Sequence, residues 1–418
     1  MVRKLNIYIG LCVTLALAAL YPGEAYSDQE ILLASVEDGT TFKVYIPEGY
    51  GQDVNDYARK VLEAACTGYK EVVFKYGFDR IGYTFSLPQR EYAYDIDRVI
   101  EIYLADVDSP FALMAPQNDL EYEAKILVPI DYKTYRKKYD IDQPDSELRA
   151  SLTHELLHIV THSYNKNMSG SYHAKSSLDC ERWDWYTEGL ARYFERLAGY
   201  DKEFLSSGFR KKSGKKVLVY KGGVNYFLRY PDKPLDERKY DFALFWQFIH
   251  TEFGMDKIEK IACKFREVDP AACSNQEAME IIARTLDIEL PVLLQHFSLY
   301  VYRVSVMEAG DELKPVSMYK LYPPESETHT ICSFGFDFYE VDLKQGLQSV
   351  SLNAVDGWED LNCLVGVSYL EDFQIVPLNN GYADEIEIDV TDLPKNSKMI
   401  IMLSNPSNHE IYYKIKID

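Results

Sequence analysis

The chain reads as an α+β protein: a sheet-rich part, then a run of helices, then a small all-β sandwich. Three observations predict this. Up to about residue 143 the apolar residues fall mainly in short β-type runs. From Pro144 onward long stretches keep helical spacing, several with no internal Gly or Pro. Beyond about residue 330, short alternating or apolar runs return at regular spacing between turn residues. A chain of 418 residues with 47% hydrophobic residues has room for two or three such units, each with its own core.

The first stretch, "MVRKLNIYIGLCVTLALAALYPGEAYS", has a short basic start at Arg3 and Lys4. An apolar run from Leu5 to Leu20 follows, then small and turn-forming residues to Ala25. This is the layout of a secretory leader over 1–25, with an uncleaved membrane anchor as the alternative. Loss of the leader removes Arg3, Lys4 and Glu24. The net charge moves from −21 for the whole chain to −22, which disfavours nucleic acid and anionic membranes as partners. No later stretch is apolar for long enough to span a bilayer. An exported chain is therefore expected, secreted, periplasmic or on the cell surface.

Six cysteines remain after the leader. The even count favours disulfides, with Cys263 to Cys273 and Cys332 to Cys363 suggested by position and Cys66 to Cys180 by elimination. None has the CxxC spacing of a zinc ribbon.

Next, "ILLASVEDGTTFKVYIPEG" reads as strand and turn. "DVNDYARKVLEAACTGYKEVVFKYG" reads as an amphipathic helix with Tyr57, Val61, Ala64 or Ala65, and Tyr69 on one face. "RIGYTFSL", "VIEIYLAD" and "EAKILVPID" are three candidate strands of one sheet. "PDSELRASLTHELLHIVTHSY" is the strongest helix in the chain, with Asp145 or Ser146 as N-cap and Glu147 in the first turn. A second helix runs through "WYTEGLARYFERLAGY" and ends near Gly199. Four more follow in "YDFALFWQFIHTEFG", "MDKIEKIACKFREV", "NQEAMEIIARTL" and "LPVLLQHFSLYVYRV". The sequence turns irregular over 306–330, a linker between a unit at 26–305 and a sandwich at 331–418.

The chemistry lies in the first of these helices. Residues four apart on a helix lie one turn apart on nearly the same face, so His154 and His158 can aim two imidazoles at one metal. Leu148, Leu152, Leu156 and Ile159 then fall on the opposite side. Glu155, beside the first histidine, is close enough to serve a metal-bound water without being a ligand. A zinc ion lowers the pKa of that water to about 7, and a neighbouring carboxylate can take its proton.

Two histidines need a third ligand. His162 lies a further turn along the helix, too far to share the metal, and His173 is a weaker candidate. Glu188 in "DWYTEGLARYFE" is the better one. Gly189 beside it would let this helix approach the first, while Trp185, Leu190, Tyr193 and Phe194 supply the buried face.

His154-Glu155-x-x-His158 followed by Trp185-x-x-Glu188-Gly189-x-Ala191 resembles the gluzincin metallopeptidases, and most closely the short peptidase MA-like catalytic domains. The likeness covers roughly residues 145–255. It implies a zincin-like domain that binds Zn2+ through His154, His158 and Glu188, uses Glu155 as general base, and hydrolyses a peptide or protein substrate. In the aminopeptidase branch a tyrosine that opens a later helix stabilises the oxyanion. Tyr240 matches it by position, although a packing role is open in a chain with 34 tyrosines.

There are departures. The 29 residues between His158 and Glu188 make a longer spacing than usual in that clan, and include the sequon Asn167-Met168-Ser169. The aspartate that thermolysin-like members carry four residues after the ligand is Arg192 here, which leaves the histidines' orienting partner unassigned. The amine-binding Gly-x-Met-Glu-Asn segment is absent, since "FALMAPQND" has Met114 without the glutamate. Endopeptidase action is therefore favoured over exopeptidase. The resemblance also implies that the strand before the zinc helix, in "EAKILVPID", pairs with extended substrate. The competing class is a non-catalytic binding protein on the same scaffold, gripping an extracellular protein or glycan. The intact Glu155 argues against it. The sandwich resembles accessory β-domains of secreted hydrolases, and the oligomeric state is left open.

Overall fold

The structure, a computed structural model, describes residues 30–417 apart from 80–84, 88–89, 93–98, 107–112, 115–123, 132, 134–142, 165–182, 203, 207–208, 213–214, 219–221, 271, 308–312, 322–325, 344–348, 356–361, 370–371, 377–384, 392 and 394–396. The proposed leader, the sequon, His173 and Cys180 lie outside the described residues.

The chain opens with a hairpin of β1 (Glu30–Ser35) and β2 (Thr41–Ile46), followed by helix α1 (Gln52–Lys70). A small hairpin, β3 (Phe85–Leu87) and β4 (Arg90–Tyr92), precedes β5 (Val99–Ala105), β6 (Leu113–Met114) and β7 (Ala124–Pro129). The main sheet has the order β1-β2-β5-β7-β6. Its middle strands β2, β5 and β7 run parallel, and β1 and β6 close its edges antiparallel.

Two expectations change here. Of "RIGYTFSL", the described residues Phe85–Leu87 form β3, which among the described residues pairs with β4 and not with the main sheet. The strand in "EAKILVPID" is β7, and it is not an open edge. β6 pairs with it at Ile126 and Leu127, so these two positions of the strand read as a substrate-pairing edge are already paired within the chain.

Alternation along β2 and β5 turns Phe42, Val44, Ile100, Ile102 and Leu104 to one face. That face shares a core with Val61, Ala65 and Tyr69 of α1 and with Leu152, Leu156 and Ile159 of α2 (Pro144–Tyr164). α2 starts at Pro144, one residue before the expected caps, because proline's fixed φ and missing N–H suit the first helical position. α1 and α2 touch at Gly68, where a Cβ would sit 2.6 Å from Thr153 Oγ1. The main chain of α1 therefore lies directly on the helix that carries both histidines.

The rest of the helical part follows in order. α3 (Asp184–Leu197) ends before Gly199, whose φ of 90° suits a glycine. The hairpin β8 (Phe209–Lys212) and β9 (Lys215–Leu218) leads to α4 (Val224–Arg229). Then come α5 (Ala243–Phe253), α6 (Met255–Phe265), α7 (Asn275–Thr285) and α8 (Leu290–Tyr302). α7 carries a full capping box, with Ser274 and Glu277 bonding each other's backbone N–H. Among the described residues no helix is long and apolar enough to cross a membrane.

The stretch 306–330, read as irregular, contains β10 (Tyr319–Leu321) and most of β11 (Ser326–Ile331). β12 (Phe336–Asp342), β13 (Ser349–Ala354), β14 (Asn362–Tyr369), β15 (Asp372–Val376), β16 (Glu385–Asp389), β17 (Lys398–Ser404) and β18 (Ile411–Ile417) complete two sheets. Their orders are β10-β12-β17-β14-β15 and β11-β18-β13-β16. They face each other across a core of Tyr339, Val341, Ile401 and Leu403 against Val350, Leu352, Tyr413 and Ile415.

In the first of these sheets, β12 and β17 are buried on both faces. Phe336, Phe338, Ile400 and Met402 point the other way, into the core of the helical part beside Phe227 and Phe297. The outer sheet keeps the half-buried alternation, with Tyr412, Lys414 and Lys416 of β18 exposed.

The expected disulfides do not form among the described cysteines. Cys263 donates to Glu259 Oε1 one turn earlier on α6 at 2.8 Å, and Cys273 lies 3.5 Å from the Ser274 carbonyl. Cys332 follows β11 in one sheet and Cys363 lies in β14 of the other. Nearness in sequence had stood in for nearness in space.

Candidate metal centre

α2 is buried on nearly every side. The leucines occupy one face, and His154 and Glu155 on the other are only 7% and 6% exposed. The histidines therefore work inside the protein, where α3 crosses α2.

His154 Nε2, His158 Nε2 and Glu188 Oε2 converge. The two nitrogens are 3.0 Å apart, and the carboxylate oxygen lies 3.2 Å from the first and 3.5 Å from the second. Tetrahedral ligands at 2.0–2.2 Å from zinc lie ~3.3–3.6 Å from one another, so this triangle needs only a small expansion to hold such an ion. The structure thus joins α2 and α3 through the residues proposed as ligands.

The surroundings favour positive charge at this point. Burial opposes protonation of His154, yet hydrogen bonds to Glu188 and Glu195 outweigh it and lift its pKa to about 10. Burial would also raise the Glu188 carboxyl, but Lys239 and the two histidines hold it well below the usual carboxylate range.

The partner that sequence reading left unassigned is Glu195. Its Oε1 lies 2.6 Å from His154 Nδ1, behind the ligand nitrogen, and its Oε2 accepts from Arg192 Nη1 at 2.6 Å. Both carboxylate and guanidinium are buried. The residue that replaces the familiar aspartate thus holds a different carboxylate in place. A ligand's outer N–H bonded to a carboxylate fixes its tautomer and ring orientation. The signal was present in the spacing, because Glu195 is seven residues, two turns, beyond Glu188 on one helix face.

Gly189 serves a different contact from the one expected. A Cβ there would meet the Lys239 carbonyl at 3.2 Å and Trp246 Nε1 at 3.4 Å, not α2. The glycine admits the turn over residues 239–242 against α3. That turn carries Lys239, whose Nζ lies 3.2 Å from Asp184 Oδ2 and 3.6 Å from Glu188 Oε1. Tyr240 opens the 3₁₀ segment Tyr240–Phe242 just before α5. Its ring centroid is 6.0 Å from that of His154, and the Arg192 guanidinium sits 4.5 Å over its face. Burial first, and Glu188 second, push its hydroxyl pKa well above 10. Glu155, Tyr240 and the three converging ligand atoms therefore share one neighbourhood. The side chain of His162 lies outside the described residues.

No protein-family model and no curated protein sequence matches the chain. Among solved structures, it is similar to the pre-peptidase C-terminal domain of a collagenase from Bacillus anthracis. The identity is 11% and the TM-score 0.20, over 25% of this chain and 98% of that one. It is also similar to Legionella pneumophila aminopeptidase A, at 14% identity and a TM-score of 0.37, over 87% of this chain and 35% of that one. The match thus spans about a third of the aminopeptidase's length. Any functional reading of this mixed α and β chain rests on the geometry of its own His154, His158 and Glu188 group.

Proposed function

We propose that the chain is an exported zinc-dependent peptidase. The observation that carries this reading is the triangle of His154 Nε2, His158 Nε2 and Glu188 Oε2, backed by Glu195 on His154 Nδ1. A donor set of two imidazoles and one carboxylate is the one that catalytic zinc takes while leaving a position open. When bound, the metal would acidify water and polarise a peptide carbonyl.

The remaining roles fall to the protein. Glu155, buried beside His154, is the general base and returns the proton to the leaving amine. Tyr240, kept protonated by burial and by Glu188, donates to the developing oxyanion. The missing amine-binding segment favours internal cleavage, and the leader read over 1–25 favours an extracellular or periplasmic site of action.

Metal analysis beside a peptidase assay tests this. Glu155→Gln should retain zinc and lose activity by a factor on the order of 100 to 10,000, the usual contribution of a general base. Glu188→Gln should lose zinc. Unchanged hydrolysis in the first variant would sink the mechanism, and unchanged zinc affinity in the second would remove Glu188 as a ligand. Zinc binding with no hydrolysis of any peptide would favour the binding-protein reading instead.

A further inference from the structure

The turn that presents Lys239 and Tyr240 is held from behind by an ion pair that the proposed chemistry does not use. Arg238 is completely buried, and Asp241 is 1% exposed. Arg238 Nη1 donates to Asp241 Oδ2 at 2.9 Å, while Asp241 Oδ1 accepts from the Lys239 backbone N–H at 2.9 Å. The pair therefore brackets Lys239 and Tyr240 and sets the course of their backbone.

The other end of Arg238 reaches toward the β-sandwich. Nη2 donates to the carbonyls of Tyr230, Pro231 and Lys233, so one guanidinium ties together the turn between α4 and Leu235. The same turn receives the sandwich. Phe336 N donates to the Pro231 carbonyl at 3.1 Å, and Leu235 N donates to the Ser333 carbonyl at 3.2 Å. Gly335 lies so close that a Cβ would come within 2.6 Å of the Asp232 carbonyl oxygen.

Phe227 completes the link. Its ring lies 4.3 Å from the Arg238 guanidinium, 6.2 Å from the ring of Phe336 and 6.4 Å from that of Phe242, two residues after Tyr240. A guanidinium so buried is costly unless it is paired and hydrogen-bonded, and here Nη1 and Nη2 find their partners in Asp241 and the carbonyls of the docking turn, while Nε has none among the described residues. The arrangement has little freedom to change at one end alone.

We infer that Arg238 is a positioning residue, which makes the orientation of Tyr240 depend on docking of the β-sandwich against the turn over residues 230–235. The sandwich is then a working part of the active site, although it contributes no group to the chemistry. This rests on the reading of Tyr240 as oxyanion donor, and it adds a dependence that the reading does not require.

The test uses the full chain with three substitutions: Gly335→Ala on the sandwich side, and Arg238→Met and Arg238→Lys at the link. If the link positions Tyr240, Arg238→Met lowers kcat by on the order of 100-fold, the cost typical of a misplacement of about 1 Å, with KM and zinc content near wild type. Arg238→Lys recovers part of the loss. Gly335→Ala lowers kcat in the same direction, and neither Gly335→Ala nor Arg238→Met has a further effect in a Tyr240→Phe background. Full kcat in Gly335→Ala and Arg238→Met, or losses that simply multiply with that of Tyr240→Phe, would overturn the inference and leave the peptidase reading standing.

A second readout is independent of hydrolysis. Hydrogen exchange across residues 239–242 should accelerate in Gly335→Ala, because the Lys239 amide is protected by Asp241. Unchanged exchange there would overturn the inference even in a chain that cleaves nothing, whereas an inactive wild type would overturn only the peptidase reading.

Discussion

Glu195 and Arg192 show how a local departure in sequence is absorbed by the residues around it. At the position where thermolysin-like enzymes carry an aspartate, an arginine holds a carboxylate from the next turn against His154 Nδ1. Removing that carboxylate leaves the imidazole free to rotate and deprives Arg192 of a buried partner. Glu195→Gln should therefore weaken zinc binding by about 10–100-fold, measured by competition with a chromophoric chelator. Arg192→Met should do the same less severely, because Glu195 would remain. Equal affinities in Glu195→Gln and wild type would show that the 2.6 Å contact does not orient the ligand. The convergence of His154, His158 and Glu188 was legible because each belongs to a short spacing pattern. For Glu195 the spacing gives only a place on the Glu188 face of its helix, and its contact with His154 depends on how that face meets α2, which is decided by packing around Trp185, Leu190 and Phe194.

At the scale of elements, glycine contacts set the distances that the site requires. Gly68 brings α1 onto Thr153 of α2, and Gly189 brings the residue 239–242 turn onto α3. Gly68→Ala places a methyl group 2.6 Å from Thr153 Oγ1 and 3.3 Å from its Cα, with the hydroxyl already bonded to the Arg149 carbonyl. The expected loss is ~1–3 kcal/mol of stability in urea unfolding, the usual cost of overpacking. Adding Thr153→Ala should recover part of it, and a double variant no more stable than the single one would assign the strain elsewhere. The long helices were readable, since α1 to α3 and α5 to α8 keep helical spacing and several have clear ends such as Gly199 and Gly254, whereas the six-residue α4 was missed because it is under two turns long. Strands were readable where they alternate, as in β5 and β18. β4, β6, β10, β11, β15 and the β8–β9 hairpin were missed, because strands of two to six residues give too few positions to show a period. The cysteine pairs failed for a related reason, since an even count says nothing of which sheet or helix each thiol joins.

For the whole molecule, the join between helices and sandwich carries a charge problem of its own. Asp337 on β12 is 2% exposed and accepts a hydrogen bond of 2.5 Å from Tyr413. Burial raises its pKa, the Tyr413 bond lowers it, Asp232 in the docking turn raises it again, and the result is about 7. An unfolded aspartate titrates near 3.8. Between these values the folded chain keeps a proton that the unfolded chain has lost, so stability falls as pH rises through the window and the penalty is complete above about 7. Asp337→Asn, which can still accept from Tyr413, should be close to wild type near pH 4 and more stable near pH 8. The gain is on the order of 2–4 kcal/mol, read from urea midpoints across that range. A stability difference that does not change with pH would show that folding leaves the Asp337 pKa where it is in the unfolded chain.

Burial of β12 and β17 on both faces constrains the order in which the molecule can be completed. Ile400 and Met402 of β17 are members of the same core as Phe42 of β2 and Leu152 of α2. A nascent chain that has already produced both histidines and Glu188 still lacks the wall that closes their core. It must wait through some two hundred further residues, with apolar surface of α8 uncovered, until β17 inserts beside β12 and β14. Contacts at such separation are slow to form and leave intermediates prone to aggregate. Late closure therefore leaves the core that holds α2 and α8 open on one side until the last strands are in place.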